Sequence, residues 1–152
     1  MKIVKYEPRY RKDFVELNTA WLERFYTVEP YDQEMMDRVE EIIDDGGMVY
    51  FATEGEQVLA TCMAMPLEEN TWEMCKLAAV GQYTGTGAGS AVFKACMDYA
   101  IQHGAKKLML ISCRALEPAI HIYKKFGFYE VPLKIKPEWG VKKADIEMEY
   151  LV

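Results

Sequence analysis

Gly85, Gly87 and Gly89 alternate where a strand-like run gives way to a helical one. Glycine lets backbone approach a ligand closely and take positive φ. The first turn of a helix leaves several N–H donors without intrahelical partners and carries positive partial charge. A diphosphate placed there gains charge-assisted hydrogen bonds from the backbone itself. The segment from Thr84 to Ser90 (Thr84, Gly85, Thr86, Gly87, Ala88, Gly89, Ser90) can therefore hold phosphate without a lysine, although the same glycines would serve a plain strand-to-helix connector. Two nucleotide motifs are excluded. No Gly-Lys-Ser/Thr follows to make a P-loop, and the spacing is G-x-G-x-G where a dinucleotide fingerprint needs G-x-G-x-x-G. The acid that would bind a ribose roughly 20 residues further on is missing too, because the next strand ends Ile111-Ser112-Cys113-Arg114.

The other reactive side chains point nowhere so definite. His103 and His121 are the only histidines, too few for a metal cluster and without a paired serine or cysteine motif. Cys62, Cys75, Cys96 and Cys113 lack C-x-x-C spacing and sit in apolar runs, as buried free thiols do. Met35, Met36, Met63 and Met65 fill core space. No metal is expected.

The elements that must position the glycine turn can be read from periodicity. Residues 3–6 alternate like a strand, and Pro8 opens a helix in which Phe14, Leu17, Trp21 and Phe25 recur at helical spacing. Asp32 caps a second helix whose Met35, Met36, Val39, Ile42 and Ile43 form one apolar face, ending at Gly46-Gly47. Residues 48–53, 58–65 and 71–80 are strand-like runs joined by short turns, which predicts an antiparallel meander. A helix over 87–103, a strand over 108–112, a helix over 115–126 stopped by Gly127, and strands near 128–135 and 144–151 complete the order βααβββαβαββ. This predicts an α+β fold: a mixed sheet with helices on both faces.

The 152 residues are expected to form one domain, 1–152, able to bury a core without disulfides or a structural metal. Hydrophobic residues make up 51% and charged residues 28%, with no low-complexity stretch. The formal net charge of -6 argues against nucleic acid, whose non-specific binding rests on basic surface. Neither an apolar signal core near Met1 nor a run of roughly 20 apolar residues is present. With the unpaired cysteines, this predicts a cytoplasmic protein that does not enter a membrane.

Residues 73–89, Glu-Met-Cys-Lys-Leu-Ala-Ala-Val-Gly-Gln-Tyr-Thr-Gly-Thr-Gly-Ala-Gly, resemble the acetyl-coenzyme A motif of the GNAT N-acetyltransferases, Gln/Arg-x-x-Gly-x-Gly/Ala. Residues 118–128, with Tyr123 four residues before Gly127-Phe128, resemble the family's helix ending in Tyr-x-x-x-Gly-Phe. The element order agrees over the whole chain. The fold implied is GNAT-like, a mostly antiparallel twisted sheet, and the cofactor implied is acetyl-coenzyme A as acetyl donor. With all three glycines aligned, Thr84 stands where the family usually has Gln or Arg; a threonine hydroxyl can still donate to phosphate. Cys113 stands where many relatives carry Asn.

The resemblance implies direct acetyl transfer to a primary amine of a small molecule. An alkyl amine of pKa about 10.4 is almost wholly protonated at neutral pH, so a carboxylate or a water chain must take its proton. Glu73, on the strand before the turn, is the candidate base, with solvation or pairing to Lys76 as its plain structural role. Tyr123 would be the general acid toward the coenzyme A sulfur, against ordinary helix packing. Main-chain groups near Leu77 and Ala79 would bind the cofactor arm and polarise the thioester. The first two helices and their connection would build the acceptor pocket, where Glu29 and Tyr31 suit a cation. The alternative is an acyl-coenzyme A sensor or partner domain of the same fold without turnover. An exposed C-terminal edge strand could pair two subunits into a homodimer.

Overall fold

The computed structural model describes residues 1–25, 28–81, 87–134 and 144–152. Strand β1 (Lys2–Lys5) leads through a 3-10 turn at Pro8–Tyr10 into α1 (Arg11–Phe25), followed by α2 (Pro30–Asp37) and α3 (Val39–Asp44). The meander is β2 (Met48–Glu54), β3 (Gln57–Pro66) and β4 (Thr71–Ala79). Helix α4 (Ala88–Gln102), β5 (Lys107–Ser112), α5 (Glu117–Lys125), β6 (Tyr129–Val131) and β7 (Ile146–Leu151) complete the chain. Among the described residues the strands form one sheet in the order β1-β2-β3-β4-β5-β7-β6. Only the β4–β5 pair is parallel. The mixed, mostly antiparallel sheet expected from the sequence is thus present, with a core on each face.

Strand alternation divides the two cores. Trp72 and Met74 of β4, with Leu108 and Leu110 of β5, join Val92, Phe93 and Cys96 of α4 and Tyr123 of α5 in one buried cluster. Val49, Phe51 and Met63 pack with Phe14 of α1 and with Met36, Val39 and Ile42 of α2 and α3 in the other. Phe93 anchors α5, its ring lying 5.2 Å from Tyr123, 5.8 Å from Phe126 and 5.4 Å from Phe128. Each such pair adds about 0.5–1.5 kcal/mol beyond the area it buries.

Three local expectations need correction. The second helix is two helices, because Arg38 leaves the helical region at φ -95° and ψ 16°. The apolar face nevertheless runs across this joint through Met36, Val39 and Ile42. Asp32 is not the N-cap; Glu29 is, with Pro30 opening the helix. Asp32 occupies the third helical position, from which Oδ2 accepts the Glu29 N–H at 2.9 Å. Strand β6 spans three residues, shorter than the run expected.

Gly127 ends α5 as expected, at φ +96°. A Cβ there would stand 3.2 Å from Cε2 of Tyr150, so an alanine meets both a forbidden backbone region and a neighbouring ring. Gly127→Ala should lower stability by about 1–2 kcal/mol, visible as a reduced urea midpoint at unchanged m-value.

Candidate active site

The parallel pairing of β4 with β5 covers Thr71–Lys107, Trp72–Leu108 and Glu73–Met109 and then ends. Beyond it β4 continues to Ala79 and β5 to Ser112 with no shared ladder, so the sheet opens. A cleft of about 400 Å³ occupies this opening. On one side of the sheet it is walled by Trp21, Tyr31 and Asp32 from α1 and α2, with Glu73 and Cys75 from β4. On the other it reaches Cys113, Leu116 and Tyr123. The two cores therefore contribute walls to one passage through the sheet, which is the form a site joining two substrates requires.

Between β3 and β4 the register slips: Thr61 faces Ala78 and Met63 faces Cys75, leaving Lys76 and Leu77 opposite Cys62 alone. This is a β-bulge, a device that re-aims side chains beside sites. Lys76 sits in it at φ +55°, a left-handed conformation that costs a non-glycine residue about 1–3 kcal/mol and persists only where surroundings enforce it. Its ammonium lies 3.4 Å from Asp32 Oδ1, and both side chains are nearly buried, at 10% and 8% exposure. Lys76 thus pairs with Asp32, and Glu73 is neither its ion-pair partner nor fully solvated.

Glu73 is partly buried in the cleft wall, and this desolvation pushes its carboxyl up to about 7; Lys76 opposes the rise, while Glu147 adds to it. Near neutral pH such a group exchanges a proton readily, as a general base must. Burial also drives the Tyr31 phenol well above its ordinary range, with repulsion from Glu73 adding to it, so Tyr31 is a neutral hydrogen-bonding wall. Tyr123 is driven upward mainly by burial, a hydrogen bond with Ser112 opposing. Its phenol stays protonated across the working range and so keeps a proton to donate. Cys75 lines the same cleft, but burial and Glu73 hold its thiol well above the usual value. It is a poor thiolate.

Helix α4 begins after Gly87, its N-cap, at φ +73°. Ala88 and Gly89 are buried and Ser90 half-buried in the first turn. Thr84, Gly85 and Thr86 lie outside the described residues. Lys125 Nζ donates to Ser90 Oγ at 2.9 Å, which adds a cation to the positive end of α4. That residue was missed in the sequence; its signal was the basic pair Lys124-Lys125 in the last turn of α5. Leu77 and Ala79 lie on the β4 stretch beyond the shared ladder, and Leu77 lines the cleft. Glu29 caps α2 and is not among the described cleft-lining residues, whereas Tyr31 is. No helix among the described residues is long and apolar enough to cross a membrane.

The model of the acetyltransferase (GNAT) family matches residues 14–128. Among curated proteins no sequence matches significantly. The structure is similar to an acetyltransferase of the GNAT family from Staphylococcus aureus Mu50, with TM-score 0.86 and 15% identity over 99% of this chain and 98% of that one. An acetyltransferase from Streptococcus agalactiae 2603 gives TM-score 0.82 and 19% identity, with 99% and 98% covered. The PaiA N-acetyltransferase from Thermoplasma acidophilum, in complex with coenzyme A, gives TM-score 0.76 and 14% identity, also with 99% and 98% covered. At these identities the likeness to solved structures is one of fold.

Proposed function

Because the chain belongs to the acetyltransferase (GNAT) family, we propose that it is an N-acetyltransferase moving the acetyl group of acetyl-coenzyme A directly to a primary amine of a small molecule. The observation that carries this reading is the placement of Glu73 and Tyr123 on one cleft, reached from opposite faces of the sheet. Acetyl-coenzyme A would supply an activated acetyl group and a thiolate as leaving group. The residues present fit it. Gly87, Ala88, Gly89, Ser90 and Lys125 offer amides, a hydroxyl and a cation for phosphate; the other phosphate candidates, Thr84, Gly85 and Thr86, precede them in the sequence. The β4 backbone around Leu77 and Ala79 offers main-chain groups to the cofactor arm, and the parting of β4 from β5 gives that arm room.

In this reading Glu73 takes the proton from the bound ammonium and frees the amine lone pair. Tyr31 and Trp21 line the acceptor side with aromatic surface suited to a cation, and Glu29 adds negative charge at the start of α2. Tyr123 holds its proton for the departing sulfur. Cys75 stays a thiol, so no acyl-enzyme step is needed. Cytoplasmic location belongs to the same reading; the expected homodimer through a C-terminal edge strand does not, because β7 lies between β5 and β6 and, among the described residues, the edges of the sheet are β1 and β6.

Cofactor identity is tested before any amine is chosen. Acetyl-coenzyme A at about 100 times its Kd should stabilise the protein by about 2.7 kcal/mol, a rise in Tm of about 5–10 °C for a chain of this size. NAD at the same concentration should leave Tm unchanged. Stabilisation by NAD alone would overturn the reading. Stabilisation by acetyl-coenzyme A without thiol release across a panel of primary amines would favour a sensor instead.

A further inference from the structure

Lys76 is the only cationic side chain among the described residues lining the cleft, and the carboxylates there are Asp32 and Glu73. Its backbone sits in the β4 bulge in a conformation most side chains avoid. Its ammonium crosses to α2, where Asp32 Oδ1 lies 3.4 Å away. The other oxygen of that carboxylate holds the Glu29 N–H at 2.9 Å. One short chain of polar contacts therefore runs from the bulge, through Lys76 and Asp32, to the residue that begins α2. The bulge and the start of α2 belong to the two strips of backbone that the proposed reaction must keep in register, one for the acetyl donor and one for the amine.

We propose that the Lys76–Asp32 pair is a positioning device for Glu73, tying the β4 bulge to the first turn of α2 and holding a compensated positive charge beside the carboxylate that accepts the amine proton. The proposal rests on the reading of Glu73 as that acceptor. Lys76 and Asp32 touch neither reacting atom in this account. They act through Glu73, three positions before Lys76 on the same strand.

The charges facing Glu73 make the device testable by sign. From β4 itself there are Lys76 and Cys75; from α2, Tyr31 and Asp32; from β7, Glu147. Tyr31 and Cys75 are both neutral, driven up by burial. Glu147 is buried and accepts the Lys134 N–H at 3.0 Å, and it pushes Glu73 up. Lys76 pulls it down. Asp32 limits that pull by holding the ammonium. Removing Lys76 should therefore raise the Glu73 midpoint, and removing the charge of Asp32 should lower it, because the freed ammonium then has Glu73 as its remaining carboxylate in the cleft. Removing both charges at once should restore the balance.

The test is a carboxyl carbon-13 NMR titration of the full chain without any substrate, the Glu73 signal being identified by its loss in Glu73→Gln. The wild-type midpoint should lie near 7. K76M should move it up by about one unit and D32N down by about one unit, the scale a single nearby charge commands. K76M/D32N should return to within about 0.3 units of wild type, and K76R should titrate as wild type does. Midpoints that stay fixed in folded K76M and D32N, or that move in the same direction, would overturn the proposal. Should either single variant fail to fold, the double variant decides: a wild-type midpoint supports the compensated pair and a displacement beyond about one unit refutes it. No amine or cofactor enters this measurement. Failure of the acetyltransferase reading would instead show as no thiol release with any amine, while the titrations kept their pattern.

Discussion

Glu73→Gln is expected to lower kcat/KM for a good amine acceptor by about 10²–10³-fold at pH 8, the usual worth of a positioned proton acceptor. The loss should change shape with pH. A carboxyl pushed up to about 7 gives the wild-type enzyme an acid limb with a midpoint near 7, since the base must be ionised before it can take a proton. An alkyl ammonium titrates about three units higher, so the two limbs are separable. Glu73→Gln should erase the acid limb and leave the amine's own titration in place. An unaltered rate and profile would remove Glu73 from the mechanism.

Stability should move the other way. The folded-state value of Glu73 is raised above its ordinary 4.5, so between those values the folded protein binds more protons than the unfolded chain. The linkage slope is then negative, and stability falls as pH rises from about 4.5 to about 7. Above that window the penalty of a desolvated carboxylate is fully present, and below it both states are protonated. Glutamine never carries the charge. The variant should accordingly have a Tm at pH 8 no lower than wild type, with the difference shrinking toward pH 4. An activity loss accompanied by a Tm gain separates a role in proton transfer from damage to the fold.

Much of this architecture was legible because it rests on local rules. The strand-like run over 71–80 is β4, with Trp72 and Met74 in one core and Cys75 against the other, and the helix carrying Tyr123 showed one apolar face ending at a glycine that takes positive φ. Pairing of Glu73 with Lys76, offered as its plain structural role, gives way to the Lys76–Asp32 pair. Simple alternation assigns one residue per step, but the bulge inserts Lys76 and Leu77 opposite Cys62, and parity is lost at that point. No local signal gives a slip of register, which is set by the pairing of β3 with β4. Asp32 was misread as a cap because capping residues share one chemistry at two positions, and the helix starts three residues earlier, with Glu29 as N-cap and Pro30 in its first turn. The joint at Arg38 was hidden because the apolar face of α2 and α3 is continuous. Lys125 emerged only when α5 was seen to end against the first turn of α4.

Tyr123→Phe is expected to lower kcat by about 10–10²-fold with little change in the Kd for coenzyme A. The lower part of the general-acid range applies, because water or the amine's own proton can still reach the sulfur. Phenylalanine keeps the ring that packs 5.2 Å from Phe93, so α5 should stay seated. The hydroxyl lost is the one that interacts with Ser112, and losing that interaction should cost about 0.5–1.5 kcal/mol of stability. Burial makes the phenol a weaker acid than in water, but the same dry surroundings make a departing thiolate, ordinarily near 8.5, more basic. Donor and acceptor are thus raised together, and transfer between them stays feasible. Tyr123 has no titration in the range where Glu73 works, so its loss should depress the whole pH–rate profile by one constant factor. Calorimetric titration with coenzyme A, beside kcat between pH 6 and 9, distinguishes the two residues. A parallel drop in cofactor affinity, or a loss confined to the acid limb, would reassign Tyr123 to packing or to Glu73's role.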